Sequence, residues 1–285
     1  MNLLPIILAL STAFFWVFGQ VLGKVVLRDL NATTVNAISF FFNTIALTAI
    51  VLVTGLGPTE TWPIFLAIAS GALGLFAALQ IYFYTMKRAP AHIVVPIGNS
   101  ASVWAVILAL FLLGEKITVI SPISLAVVVG GALLFFPIRK ESKKWRLAVP
   151  LALSAAVLWG LNMVINKSVV SLGMNSLTFI WIATASAAVF FILTSGVTQS
   201  WKGLHFNSKN VGLCIASGLS NNVIAFLFYF AALRLENVSS LAPFIATTIP
   251  IGFLLSILIA RERPSFKPII GMVLVFLGVL LASIW

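Results

Sequence analysis

The chain has 285 residues, of which 61% are hydrophobic and only 8% are charged, and its formal net charge is +11. Soluble globular domains carry roughly 25% charged residues, so this composition excludes a soluble globule. The positive charge does not indicate a nucleic-acid partner, because the basic residues are scattered over short loops and no soluble domain is left to present a basic face.

Ten apolar runs follow one another along the chain, separated by short stretches that contain Gly, Pro or charged residues. Each run has about the twenty residues that a helix needs to cross the hydrocarbon core of a bilayer, and none alternates as the strands of a membrane β-barrel do. The sequence therefore predicts an all-α protein embedded in a lipid bilayer. The ten predicted helices cover residues 3–25, 34–54, 63–86, 92–113, 118–137, 147–169, 176–196, 211–233, 239–260 and 266–284.

The two halves of the chain share residues at a nearly constant spacing. The matched pairs are, at an offset of 143, Trp16 with Trp159 and Lys24 with Lys167, and, at an offset of 147, IASG at 68–71 with IASG at 215–218, Tyr82 with Tyr229, Pro96 with Pro243 and Glu115 with Glu262. These pairs predict two homologous domains of five helices each, residues 1–140 and 141–285. Because five is odd, the second domain would enter the membrane the opposite way, as an inverted repeat typical of alternating-access carriers.

This doubled pattern resembles the drug/metabolite transporter superfamily, specifically its EamA-like ten-helix carriers. The residues that carry the resemblance are Trp16 with Lys24, Trp159 with Lys167, the helices that contain Pro96 and Pro243, and the endings FLLGEK (111–116) and ILIARER (257–263). The resemblance covers the whole chain. It implies a carrier of small metabolites, often an exporter, with a central cavity between the halves, and it implies no particular substrate.

Polar side chains inside the predicted helices mark a candidate site for the solute. A polar group at membrane depth is costly and usually faces a cavity or a neighbouring helix, and these groups concentrate on helices one, three and four and their repeat partners. The predicted solute-binding residues are Trp16, Gln20, Gln80, Tyr84, Asn99, Ser100, Trp159, Asn162, Asn166, Asn222, Tyr229 and Thr247. Two alternatives stay open: the amides bond across helices, and the rings anchor at the membrane interface.

Prolines and charged residues at helix ends predict the moving parts. Pro96 and Pro243 remove an intrahelical hydrogen bond and bend a helix, so both are predicted hinges. Four charged residues at helix ends have two interpretations: gates at opposite mouths of the path, or local structure in which the lysines reach the interface and the acids pair with nearby basic residues such as Lys116, Arg261 and Arg263. These four residues are Lys24, Lys167, Glu115 and Glu262.

Missing groups restrict the chemistry further. All six acidic residues fall at helix ends or in loops, whereas the small multidrug exporters of the same superfamily rely on a carboxylate in the first helix. The site therefore suits a neutral, zwitterionic or anionic solute, such as an amino acid, and disfavours a proton-coupled drug exporter; a channel-like facilitator is the other alternative. No catalytic or metal-ligating pattern surrounds His92, His205 or the single Cys214, so neither an enzyme nor a cofactor is predicted.

Loop charge predicts the orientation in the cell membrane. Fourteen of the 17 basic residues lie in or beside the loops that follow odd-numbered helices. Positive loops are cytoplasmic, so both termini are predicted to lie outside, although the resemblance more often implies cytoplasmic termini. Helices five and ten are nearly free of polar residues and are predicted at the periphery or in a homodimer contact, and Gly19 with Gly23 forms a small-residue pair for helix contact.

Overall fold

The computed structural model describes residues 3–57, 60–113, 120–134, 147–202, 207–235, 241 and 244–283. Within these ranges the regular structure is helical, without strands. The helices are α1 (Leu3–Val26), α2 (Ala32–Thr54), α3 (Thr61–Arg88), α4 (Ala91–Gly98), α5 (Ala101–Leu113), α6 (Ile120–Leu133), α7 (Ala148–Ser171), α8 (Ser176–Thr198), α9 (Ser208–Leu233), α10 (Thr248–Leu258) and α11 (Phe266–Ser283).

Six of the described helices, α1, α2, α3, α7, α8 and α9, are long and apolar enough to cross a membrane, and α10 and α11 are shorter apolar helices. The prediction of an all-α membrane protein is thus confirmed. Every predicted span contains a helix, and the fourth is divided into α4 and α5 by a turn at Asn99 and Ser100. Three helices, α2, α8 and α9, begin at an amide cap: the Oδ1 atoms of Asn31, Asn175 and Asn207 accept hydrogen bonds from backbone N–H groups of the first turn.

Helices of the first predicted half pack mainly on helices of the second. α1 packs on α9 and α10, while α7 packs on α3 and on α4 and α5. α2 pairs with α8, and α6 pairs with α11. These contacts are symmetric between the halves. Replacing each helix by its repeat partner turns the contacts of α1 into those of α7, and it leaves the α2–α8 and α6–α11 pairs unchanged. The core therefore lies between the halves, and each half buries its apolar surface against the other.

Small residues allow the closest of these approaches. A Cβ added to Gly19 would lie 2.6 Å from the carbonyl oxygen of Ser217, and one added to Gly23 would lie 2.2 Å from the Phe83 ring. Similarly, a Cβ on Gly131 would meet the carbonyl of Gly271 at 2.9 Å. The small pair on α1 thus serves contacts within the chain. The facing sides of α6 and α11 likewise serve contacts within the chain, while Ile269, Val273 and Leu277 of α11 stay exposed.

Candidate functional site

A cavity lies among α1, α3, α7, α9 and the starts of α5 and α10. The volume open to the centres of water molecules is about 90 Å³, and one water needs roughly 10–15 Å³ on this measure. The cavity therefore holds several waters or a small solute. Among its described lining residues there is no Lys, Arg, Asp or Glu.

Most of the predicted solute-binding residues meet at this cavity, although they come from distant parts of the chain. Those that line it are Trp16, Gln20, Asn99, Trp159, Asn162, Asn166, Asn222 and Tyr229. The prediction omitted Asn221 and Thr248, which also line it. Asn221 stands beside a predicted residue, and Thr248 follows Thr247, so polarity could have identified both, but helical spacing could not.

Gln80 and Tyr84 lie outside the cavity lining, on another face of α3. The side chain of Gln80 bonds to α2: its Nε2 donates to Oγ1 of Thr33 at 2.6 Å, and its Oε1 accepts from Nδ2 of Asn36 at 3.3 Å. Tyr84 is exposed, with the Arg88 guanidinium 3.3 Å from the centre of its ring. Gln80 is thus an interhelical contact of the kind left open above, and Tyr84 faces outward.

Ser100 and Thr247 also lie outside the lining, each at a break before a helix. The Oγ of Ser100 donates to the Ile97 carbonyl at 2.6 Å, and the Oγ1 of Thr247 donates to the Phe244 carbonyl at 2.5 Å. Each hydroxyl thus bonds back to a carbonyl that also accepts from the backbone N–H of the same residue, and neither points to the helix that follows. The residues that reach the cavity are their successors, Ala101 and Thr248, which begin α5 and α10.

Gln20 is held by a chain of hydrogen bonds that fixes its orientation. Nδ2 of Asn99 donates to the Val95 carbonyl at 2.9 Å and to Oε1 of Gln20 at 3.0 Å. The same Oε1 accepts from the Tyr82 hydroxyl at 2.8 Å. Because an amide oxygen must accept from Asn99, the Gln20 oxygen is engaged within the protein. Its Nε2 is the end that remains for the cavity, with no acceptor among the described residues.

Two Trp–Tyr pairs form walls at the cavity: Trp16, Tyr229 and Trp159 line it, whereas Tyr82 packs against Trp159 without lining it. The rings of Trp16 and Tyr229 have centroids 5.2 Å apart, and those of Trp159 and Tyr82 are 4.8 Å apart. Nε1 of Trp159 also donates to the Gly74 carbonyl at 3.0 Å. Each pair joins one tryptophan and one tyrosine from different predicted halves, so each wall depends on the contact between the halves.

Wide π turns interrupt both helices that face the tryptophans. α3 is π-helical over Gly71–Ala78, and α9 over Leu219–Ile224. Each segment begins at the end of an IASG tetrapeptide, and each contributes lining residues. π turns inside α-helices occur frequently at functional sites. The sequence repeat marked these positions without revealing the change of helix type.

Pro96 lies inside α4, two residues before that helix ends at Gly98. The turn that follows separates α4 from α5, in agreement with a bend at this point. Pro243 and Glu115 lie outside the described residues. The repeat partner of the first break is the turn at Ala246 and Thr247, immediately before α10.

The end of the bundle near Lys24 is closed by hydrogen bonds. The Nζ of Lys24 donates to the carbonyls of Met86 and Ala89 at the end of α3, the latter at 2.7 Å. Nη2 of Arg28 donates to the Ala260 carbonyl at 2.8 Å. Arg28 therefore ties α1 to the segment that follows α10, across the two predicted halves.

Glu262 reinforces this closure, but not through the basic residues beside it in sequence. Its Oε1 accepts from the N–H of Ala91 at 2.7 Å, and its Oε2 accepts from the N–H of His92 at 2.8 Å and lies 2.7 Å from Nδ1 of His92. Glu262 thus caps the start of α4, where a carboxylate is favoured. Burial alone would raise the pKa of Glu262, but the hydrogen bonds from His92 and Ala91 and the charge of His92 lower it below the usual value.

Lys167, the repeat partner of Lys24, is exposed at the end of α7. The α7 residues that line the cavity extend to Asn166, next to this lysine, whereas those of α1 stop at Gln20, four residues before Lys24. The cavity therefore reaches further toward the end of α7 than toward the end of α1.

A sequence profile of the EamA-like transporter family matches residues 3–136 and again residues 146–284. The chain belongs to this family. The resemblance drawn from the tryptophan and lysine repeats is thereby confirmed, and the protein is a multi-pass membrane transporter. Neither its family nor the names of its relatives indicate an enzyme.

The chain is also similar to an S-adenosylmethionine uptake transporter of Rickettsia conorii, with 26% identity over 258 residues, which cover 90% of this chain and 84% of that protein. An uncharacterized transporter of Archaeoglobus fulgidus is 20% identical over 281 residues, with 98% of both chains covered. A crystal structure with 16% sequence identity superposes with a TM-score of 0.71, covering 100% of this chain and 98% of the other, and it shows that the fold is shared.

Proposed function

We propose that this EamA-like transporter carries a small polar metabolite across the cell membrane by alternating access around the central cavity. The observation that carries the proposal is the cavity itself, an uncharged chamber between the halves lined by amides and aromatic rings. Ligand sites of this kind combine apolar walls with a few polar groups that orient the solute. The solute is neutral, zwitterionic or anionic, such as an amino acid, and the direction is export.

Two domains, residues 1–140 and 141–285, act in this proposal as inverted five-helix repeats that cross the membrane ten times. The proposal is supported by the exchange symmetry of the helix contacts and by the paired π segments in α3 and α9. Inverted repeats place their solute site where the halves meet and expose it by rocking one half against the other. Pro96 and Pro243 would serve as hinges in this motion.

Lys24, Arg28 and Glu262 form the gate of the closed end in this proposal, and Lys167 with Glu115 the corresponding gate at the other end. The contacts of Arg28 and Glu262 join the two halves, so they must break when that end opens. By the charge rule the closed end is cytoplasmic and both termini lie outside. A reporter fused to the carboxyl terminus, if active only in the cytoplasm, would contradict this orientation.

Reconstituted vesicles test the carrier proposal directly. We expect saturable uptake of one labelled metabolite from a panel of amino acids and S-adenosylmethionine, the latter included because a relative bears its name. Unlabelled solute inside the vesicles should accelerate uptake, because a carrier exchanges solute and a channel does not. Asn162→Leu should reduce uptake at least about tenfold, since it removes a polar contact that nothing else replaces.

The matched control is Asn43→Leu. Asn43 is a buried amide without a hydrogen-bond partner among the described residues, as is the oxygen of Asn162, but it lies on α2 outside the cavity. Its replacement should leave uptake within about twofold. Equal loss in both variants, or uptake without exchange, would count against a carrier that uses this cavity. A homodimer stays a prediction that a mass measurement in detergent checks.

A further inference from the structure

We infer that the cavity binds the carboxylate end of its solute through neutral N–H donors, with the solute's apolar body against the wall formed by Trp16, Phe226 and Tyr229. The inference rests on the proposed function and narrows its substrate class to small organic carboxylates, anionic or zwitterionic. The bound oxygens lie near Gln20 and the first residues of α5 and α10. No basic side chain among the described lining residues takes part.

The first observation is the fixed direction of the Gln20 amide. Its oxygen accepts from Tyr82 and Asn99, and the direction of Asn99 is set in turn by the Val95 carbonyl. Gln20 is only 4% exposed and lines the cavity. Buried polar groups normally find partners, so the two hydrogens on its Nε2 need an acceptor from whatever occupies the cavity.

The second observation is the pair of helix starts. Ala101 is the first residue of α5 and Thr248 the first of α10, and both line the same cavity. The first turn of a helix leaves backbone N–H groups without intrahelical partners and carries a partial positive charge. Thr247 makes no side-chain cap to α10, and the Ser100 hydroxyl donates backwards to Ile97. At α5 the Val103 N–H already bonds to the Ser100 carbonyl, and at α10 the Ile249 N–H bonds to the Ala246 carbonyl and Pro250 has no N–H. The donors at the two starts are therefore the N–H groups of the first residues, Ala101 and Thr248.

These donors lie close together because Asn99 links them. Asn99 bonds to Gln20 and is two residues before the start of α5. Thr248 occupies the position in the second half that Ala101 occupies in the first. Helix starts in broken membrane helices favour anionic solute groups and repel ammonium groups. Neutral donors suit a carboxylate, whereas a phosphate dianion would call for arginine or lysine.

Aromatic rings supply the rest of the pocket. The Trp16 ring lies 5.2 Å from that of Tyr229 and 5.7 Å from that of Phe226, measured between centroids. Phe226 is the repeat partner of Leu79, which lines the cavity opposite. The cavity thus combines a donor-rich region with an apolar wall, which matches a carboxylate attached to an apolar body.

Calorimetric titration of the purified protein with three ligands that share one body tests the inference: 3-phenylpropionate, 3-phenylpropan-1-ol and 3-phenylpropylamine. We expect the carboxylate to bind at least about tenfold more tightly than the amine, with the alcohol between them, because hydrogen bonds to a charged acceptor are the strongest that these donors make. Inorganic phosphate should not compete. Binding of the amine at least as tight as that of the carboxylate, or no binding by any of the three, overturns the inference.

Gln20→Glu replaces the free donor by an acceptor of the same shape and should weaken the carboxylate about a hundredfold while sparing the amine. Gln20→Met introduces the residue type that stands at the repeat position, Met163, and should weaken binding of the carboxylate about tenfold. The control is Gln80→Met, which removes an amide bonded to α2 outside the cavity and should not change binding. Carboxylate affinity unchanged in both Gln20 variants would overturn the inference.

The two proposals fail separately. If the carboxylate binds with the expected dependence on Gln20 but vesicles show no uptake of any carboxylate, the carboxylate site is supported and the carrier proposal is contradicted. If vesicles exchange solute but the purified protein binds the amine more tightly than the carboxylate, the carrier proposal is supported and the carboxylate site is contradicted.

Discussion

The two Trp–Tyr walls at the cavity use the same repeat positions and have different chemistry. The hydroxyl of Tyr82 donates to Gln20, which also accepts from Asn99. At the corresponding positions around Tyr229 stand Met163 and Ala246, so the described residues offer its hydroxyl no such network. One tyrosine hydroxyl is thus engaged in hydrogen bonds within the protein, while in our proposal the other is available to a solute. The same repeat positions thus carry a different hydrogen-bond pattern in each half.

Gly19→Ala should have the largest effect on stability. The new Cβ would meet backbone atoms, the Ser217 oxygen at 2.6 Å and the Asn221 nitrogen at 2.8 Å, which cannot move without separating α1 from α9. Overpacking of this kind costs about 1–3 kcal/mol. The unfolding midpoint in detergent should fall by several degrees. A midpoint equal to that of the wild type would show that the halves are packed less tightly here.

Gly74→Ala should act on binding more than on stability. Its Cβ would lie 2.2 Å from Cγ of Asn162, and a side chain moves more readily than backbone. We expect a loss of solute affinity of about tenfold, in line with one displaced polar contact, with a smaller change of midpoint than in Gly19→Ala. If both variants lose stability equally and binding is intact, Asn162 is structural.

A comparison of Tyr82→Phe with Tyr229→Phe measures how much each tyrosine hydroxyl contributes to stability and to solute affinity. Removing the Tyr82 hydroxyl breaks a buried hydrogen bond and should lower the free energy of unfolding by about 1 kcal/mol. Removing the Tyr229 hydroxyl should change it by less than half as much and should instead alter solute affinity. Chemical denaturation and calorimetric titration on the same preparations check both halves of this prediction. The reverse pattern would assign the rigid wall to Tyr229.

Glu262 should give the smallest effect, visible only in acid. Its pKa lies below the usual value because the hydrogen bonds from His92 and Ala91 and the charge of His92 outweigh its burial, so it stabilises the closed end fully above the ordinary glutamate pKa of about 4.3. This stability is lost as the pH falls through the lower, folded-state value. The midpoint of the wild type should drop below about pH 4.3 more steeply than that of Glu262→Gln. If the midpoints of the two proteins fall in parallel with pH, Glu262 is not the source of the acid sensitivity.

The sequence predicted each helical span because apolar length in a membrane protein leaves few other structures. It could not tell Gln20 from Gln80: each is an amide in an apolar run, and only the neighbouring helix decides that one meets the cavity and the other α2. Asn221 was missed because α-helical spacing places it on a different face from Asn222, whereas the π turn of α9 allows both to line the cavity. The partner of Glu262 was predicted from proximity in sequence, but the fold brings α4 nearer.

Two contacts between the halves pair a glycine with an asparagine, and the two residue types are interchanged from one contact to the other. On one side Gly19 faces Asn221, and on the other Asn162 faces Gly74; these are the same pair of repeat positions with glycine and asparagine interchanged. Each contact has room for one amide, since two would collide and none would leave a hole. A change at one member of such a pair therefore requires a matching change at the other. Both amides reside in the second half, so α7 and α9 supply the polar group in each of these two contacts.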